Sequence, residues 1–245
     1  MIKNIQFFML FICMFSSLAI SQERVNSSGG FLDFNLYPIL TDIDGDSVIT
    51  INAGAKLSNR FSYFSLTNFY NQSDRSELED TAGFYTEQNI RWQIKDRSSL
   101  DLTAQYNLRS GNDNDRLRLG VRWRLSDTEM LKEIFQTASL QWSVNLHALQ
   151  IDHNSDSAWQ IEHVFRLTMP YLSEKIYLAG FIDHTFNEDL SAASPDIPSN
   201  PVVAEFQLGY RLLENLYAVM ECRINQYRRD DVNNLAVGVE YKIKW

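Results

Sequence analysis

The stretch Arg116-Leu117-Arg118-Leu119-Gly120-Val121-Arg122-Trp123-Arg124-Leu125 alternates without a break between apolar residues and residues that are basic or small. Period-two alternation sends successive side chains to opposite faces of an extended strand, whereas in a helix the same arginines would be scattered round the circumference. Leu117, Leu119, Val121, Trp123 and Leu125 make a face suited to apolar surroundings; Arg116, Arg118, Arg122 and Arg124, with Gly120 among them, make one suited to water. The C-terminal stretch repeats the pattern, with Leu235, Val237, Val239, Tyr241, Ile243 and Trp245 facing away from Gly238, Glu240, Lys242 and Lys244.

Outward from these two stretches, similar segments recur from Phe31 to Trp245, separated by clusters of Asp, Asn, Ser and Gly. They cover 31–40, 47–58, 61–71, 84–95, 98–109, 115–126, 138–151, 158–168, 175–186, 202–213, 215–228 and 235–245. Segments 61–71 and 175–186 are apolar in part on both faces. The pattern predicts an all-β fold, an antiparallel transmembrane β-barrel of about 12 strands, with one short periplasmic helix near 127–137. In that helix Asp127 is placed to cap the N-terminus, and Met130, Leu131, Ile134 and Phe135 form its apolar stripe. No linker or internal repeat interrupts 31–245, so the barrel reads as one domain.

The connections give the strands a direction. Outer-membrane barrels carry short turns on the periplasmic side and longer loops outside. The odd-numbered connections here, 41–46, 72–83, 110–114, 152–157, 187–201 and 229–234, are the longer ones. The even-numbered ones are tight, at Asn59-Arg60, Asp96-Arg97, Pro170 to Glu174 and around Asn215, with 126–137 as the exception. On this topology Trp92, Trp123, Trp142 and Trp245 gather at periplasmic strand ends on the outward face, and Trp159 lies near the outer end. That is the distribution of a membrane girdle of interfacial aromatic rings.

The start of the chain fits this location. Lys3, an apolar run from Ile5 to Ile20 and the small residues Ala19 and Ser21 are the parts of a secretory signal peptide, expected over 1–21. A short N-terminal segment, 22–30, then leads into the barrel at 31–245. Cys13 lies in the apolar run without a Leu-Ala-Gly lipobox before it, which argues against a lipid anchor. The mature part has 21 basic and 31 acidic side chains, a formal charge of −10. Such a balance argues against nucleic acid as a partner. Cys222 alone remains after cleavage, which excludes an intramolecular disulfide and a thiolate metal cluster.

The stretch 235–245, an alternating strand ending in an aromatic residue, resembles the C-terminal β-signal of Gram-negative outer-membrane proteins. The terminal Trp245 stands where phenylalanine is commoner. The resemblance implies the outer membrane as location, the barrel-assembly machinery as a partner through the last strand, and outer-membrane lipid and lipopolysaccharide as surroundings. In size and strand count the chain is similar to the twelve-stranded channels, such as the nucleoside-channel and oligogalacturonate-porin families, although no motif assigns it to either.

The inward faces carry the candidate chemistry. Arg91, Arg118, Arg122, Arg124, Arg166, Arg211 and Arg223 are expected to line the lumen with Glu87, Glu162, Glu205 and Glu221, and with Lys56, Arg109, Arg116, Lys242, Asp33, Asp101 and Glu240. Arginines facing a water-filled lumen favour small anionic solutes by field and by bidentate hydrogen bonds; paired into a closed network, the same side chains would leave no pore and make a structural or adhesive barrel. Acids left for the outer loops, among them Asp42, Asp44, Asp46, Asp74, Glu188 and Asp231, read as a solvated fringe able to meet divalent cations and lipopolysaccharide. Asp42-Ile43-Asp44-Gly45-Asp46 lacks the bidentate acid of a calcium loop, Ala53 standing at that position, so no metal site is assigned and no cofactor is implied. A lipid-active hydrolase would need a nucleophile and base at the rim; His147, His153, Ser155, Ser157, His163 and His184 are the nearest material, and no catalytic residue is assigned from them. Replacing Trp245 by Asp is expected to lower the amount of assembled protein in outer-membrane fractions. Wild-type levels of that variant would remove the assembly-signal reading of the last strand.

Overall fold

The fold is described from a computed structural model over residues 29–40, 47–71, 81–110, 115–152, 158–188, 197–228 and 231–245. The signal peptide expected over 1–21, most of the segment 22–30 and the acids Asp42, Asp44, Asp46 and Asp74 lie outside the described residues. Twelve strands occupy the described residues: β1 Gly30–Leu40, β2 Ser47–Lys56, β3 Phe61–Asn71, β4 Thr81–Gln93, β5 Leu100–Arg109, β6 Arg116–Arg124, β7 Leu140–Ile151, β8 Trp159–Thr168, β9 Ile176–Phe186, β10 Val202–Arg211, β11 Leu216–Asn225 and β12 Asn233–Lys244. Each pairs antiparallel with its sequence neighbours, and β1 pairs with β12, so the sheet is a closed barrel. The seam is fixed at its end by Gly30 and Trp245, each amide donating to the other's carbonyl, at 3.0 and 3.2 Å.

The burial pattern is inverted relative to a water-soluble protein. Most of the enclosed side chains are polar, among them Asn89, Asp101, Gln105 and Asn145, each at most 1% exposed. Ile90, Leu102, Leu149 and Ile151, by contrast, are 45 to 52% exposed on the outside. A wall that is apolar outside and polar inside suits hydrocarbon around it and water within it. The exterior departs from this on β3 and β4. There Thr67 and Thr86 share a hydrogen bond of 2.8 Å, Gln88 Nε2 donates to Thr86 at 2.7 Å, and Thr86 donates to the Leu66 carbonyl at 3.1 Å. These outward polar groups satisfy one another within the wall.

Two bulges re-aim side chains. In β1 the register with β12 shifts between Leu36 and Ile39, just past Tyr37, which faces inward with Asp33 and Asn35 while Ile39 beyond the slip faces out. In β7 it shifts opposite Leu119 to Val121, just past His147, which is 0% exposed and faces inward with Asn145 while Leu149 beyond the slip faces out. Each bulge faces a glycine on the neighbouring strand. A Cβ at Gly238 would stand 1.9 Å from the Leu36 carbonyl oxygen, and one at Gly120 1.9 Å from that of Leu146. Only glycine admits so close a backbone approach.

The two ends of the barrel differ. Tight turns close one end, where Asn59 and Arg60 both take positive φ (56° and 68°), as a two-residue hairpin of type I′ requires. That end also holds Leu125 to Ser139, made of a 3-10 turn at Leu125–Asp127 and a helix, α1, at Lys132–Thr137. Asp127 does not cap this helix, contrary to the sequence expectation. The helix starts later, with Leu131 at its N-cap and no side-chain cap, while the Asp127 carboxylate accepts from Arg124 at 2.7 Å. A nearby guanidinium outcompetes the helix amides for that carboxylate. The purified protein in detergent is expected to give a β-dominated circular dichroism spectrum and a gel mobility that changes on boiling. Gly238→Val is expected to abolish the heat-modifiable band by preventing β12 from seating on β1; a wild-type pattern for that variant would show that the bulge is not needed for closure.

Candidate functional site: the barrel interior

Two cavities fill the barrel axis. The outer one, toward the long connections, has a volume of about 460 Å³, and the inner one, toward the tight turns, about 780 Å³. Phe64 and Leu66 of β3, Val164 of β8, Gly180 and Phe181 of β9 and Glu205 of β10 line both, so they mark the waist where the cavities meet. Lys132, Phe135 and Gln136 of α1 line the inner cavity, so the helix borders its mouth.

Alternation along the strands places all the arginines and glutamates named from the sequence on the inward side, but their partners divide them. Arg122 and Arg124 share Asp101, which is 1% exposed: Arg122 Nε donates to it at 2.7 Å and Arg124 Nη1 at 2.5 Å. Arg223 Nε donates to Glu221 at 2.7 Å, and its guanidinium lies 4.5 Å from the centre of the Tyr37 ring, whose hydroxyl also donates to Glu221 at 2.7 Å. Lys242 pairs with Glu240 at 2.5 Å and lies 3.7 Å from Asp33. These groups neutralise one another within the wall.

Another set has no carboxylate within ion-pair distance among the described residues: Arg91, Arg109, Arg118, Arg166 and Arg211. Arg118 Nε donates to the Gln150 amide oxygen at 2.8 Å. The Arg91 guanidinium lies 5.5 Å from the Phe64 ring centre, and its buried Nε has no hydrogen-bond partner. Arg109 and Arg166 lie over Tyr85 and Tyr177, at 5.2 and 3.9 Å. Glu87 accepts from Asn89 at 2.6 Å, and Glu162 accepts from Asn145 and lies 3.6 Å from His147 Nε2.

Sequence reading missed three features. Asp183 faces the outer cavity across from Glu162, its register partner, because β9 shows no clean alternation. The waist has the same cause, since Phe64, Leu66 and Phe181 lie in the two segments that are apolar on both faces. Glu188 is not a solvated loop acid: it is 1% exposed and accepts hydrogen bonds from Arg116 and from the Tyr227 hydroxyl. Burial, then the Glu188 charge, pushes the Tyr227 hydroxyl up to about 12, so it stays a donor. Arg116 also lies 3.4 Å from Asp152, and these contacts tie three connections together at the outer mouth.

Trp92, Trp123, Trp142 and Trp245 stand at the tight-turn end and Trp159 at the other, where it stacks on Phe186 at 4.1 Å. The described histidines do not assemble. His147 faces inward, whereas His163 and His184 face outward, with His163 Nδ1 accepting from Trp142 Nε1 at 3.3 Å. His153, Ser155 and Ser157 lie outside the described residues.

No protein-family model and no curated protein sequence matches the chain. Among solved structures it is similar to the NanC porin, at 9% identity over 89% of this chain and 100% of that one, with a TM-score of 0.50. It is also similar to the KdgM porin, at 13% identity over 87% and 98% of the two chains, with a TM-score of 0.48. At such identities the likeness is one of fold, the closed antiparallel barrel of porins.

Asp101→Asn leaves Arg122 and Arg124 without their shared carboxylate. This is expected to lower unfolding stability in detergent by about 3 kcal/mol, read from denaturant melts. An unchanged midpoint would show that lumen water compensates the two guanidiniums.

Proposed function

We propose that the chain is an outer-membrane channel for small solutes, with a preference for anions. The observation that carries this reading is the pair of meeting cavities inside a closed wall, faced by arginines that have no carboxylate at ion-pair distance among the described residues. The apolar exterior and the tryptophans at both strand ends support a bilayer setting. The alternating last strand supports delivery by the barrel-assembly machinery, and the outer rim would meet lipopolysaccharide.

Two opposing charges decide the selectivity. The mature chain is at −10 overall, which would draw cations to the mouth, but salt screens exposed loop charge within about 8 Å at physiological ionic strength. Inside, low-dielectric walls focus the field of the groups that remain uncompensated. Of the cavity-lining groups, Arg91, Arg109, Arg118 and Arg166 are in that position, against Glu87 and Asp183, which have no basic group at ion-pair distance among the described residues, and Glu162, whose partner at that distance is His147. The surplus is positive. Arg118 and Arg91 therefore dominate, whereas Arg122, which alternation alone ranks with Arg118, spends its charge on Asp101.

Refolded protein in a planar bilayer under a potassium chloride gradient is expected to give discrete current steps with a reversal potential on the anion side. Arg91→Gln combined with Arg118→Gln should move that potential toward cations, and Arg122→Gln should move it less. Absence of steps, or a cation-selective wild type, would end this reading.

A further inference from the structure

The lumen of a solute channel is expected to be polar throughout, yet the part shared by its two cavities is largely apolar, with Glu205 as its charged side chain. Phe64 and Leu66 project from β3, and Val164 and Phe181 from β8 and β9. In the closed order β3 and β9 stand six strands apart in either direction, so the two phenylalanines face each other from opposite walls. They do not pack into a hydrophobic core: each is partly exposed and borders both cavities. Apolar side chains held open to a watery passage cost free energy unless a solute covers them.

The arginine beside this waist gives the second half of the argument. Arg91 is 9% exposed, lies over the Phe64 ring at 5.5 Å, and has a buried Nε without a hydrogen-bond partner. Arg118 lines the cavity outside the waist. On the inner side Arg166 follows Val164 by two residues and faces the inner cavity. An anionic group therefore meets arginine before, at and after the point where an attached ring meets Phe64 and Phe181.

We infer that the waist is a binding site for amphipathic monoanions, solutes that join one carboxylate to an apolar ring, and that these are the substrates the channel favours. This rests on the channel reading above. The ring lies between the two phenylalanines, the carboxylate meets the guanidinium of Arg91, whose buried Nε–H has no partner of its own, and neither part is left uncovered during passage. A hydrophilic sugar acid of similar size would leave the apolar walls bare and lose hydration at the waist.

Benzoate, acetate and gluconate serve as probes for the full-length protein refolded in detergent, titrated by calorimetry. Benzoate is expected to bind at least about tenfold more tightly than either of the others, the worth of covering a ring of this size. Phe64→Ser and Phe181→Ser, each tested on its heat-modifiable folded fraction, should weaken benzoate about tenfold and leave acetate as weak as before. Phe64→Leu, which keeps the wall apolar, should lose less, and Arg91→Gln should weaken both benzoate and acetate. Equal affinity for benzoate and gluconate, or undiminished benzoate binding in both serine variants, would overturn the site. Current steps in potassium chloride report on the channel reading separately. A protein that binds benzoate but carries no current would keep the waist as a site and lose the channel.

Discussion

Everything in this molecule follows from the need to pair each peptide group within the wall. In hydrocarbon an unpaired N–H or C=O costs several kcal/mol, so a sheet that crosses a bilayer can have no edge. The contact that removes the edge is β1 on β12, ending in the mutual hydrogen bonds of Gly30 and Trp245. Once closed, the sheet separates two solvents, and each strand must serve both. This is why Leu119 and Val121 are outside while Arg118 is enclosed, and why a chain of polar mean hydropathy can carry an apolar surface. Closure also explains the glycines opposite the bulges. Where β1 and β7 take an extra residue, the neighbouring strand has room only for a residue without a side chain.

Closure forces charge into the interior, and the interior sorts it. Short-range pairs such as Asp101 with Arg122 and Arg124, or Glu221 with Arg223, brace adjacent strands and cancel their own fields. Tyrosines extend this bracing. Tyr37 and Tyr177 are both 2% exposed, and each places its ring under a cation while donating its hydroxyl to a glutamate. Of the arginines left over, Arg91, Arg109 and Arg166 lie over aromatic rings and Arg118 bonds to an amide, arrangements that hold a guanidinium in place without pairing it to a carboxylate. Position is thus supplied by one class of contact and net charge by the absence of another.

Much of this was legible in the sequence wherever one rule acted alone. Alternation located twelve strands to within a few residues, and the same parity put the arginines of β6 on the inner side. Legibility failed where a second interaction competed. Asp127 has the composition of a helix cap, but Arg124, three residues earlier, takes its carboxylate. Glu188 has the composition of a loop acid, but Arg116, far away in sequence, draws it into the mouth. The bulges hide because a one-residue slip in β1 or β7 reverses the faces beyond it, so His147 reads by parity alone only up to the slip. Strands β3 and β9 resisted assignment for another reason: their inward residues obey neither the exterior rule nor the usual interior one.

That last irregularity links fold to passage. An apolar waist alone would hinder any ion, since a charge entering it sheds water with nothing in return. Arginines alone would hold an anion without asking what it is attached to. At a separation of about 4 Å and an effective dielectric near 20, a pair of unit charges gains about 4 kcal/mol, and an unbroken ladder of such contacts would retain the anion it admits. The waist breaks the ladder. Because Arg91 is the arginine over the Phe64 ring, the strong site and the apolar site coincide only for a solute that carries both kinds of group, and for other anions they act against each other. On the proposed reading of the waist, this arrangement of β3, β4, β8 and β9 selects by composition rather than by charge or by size.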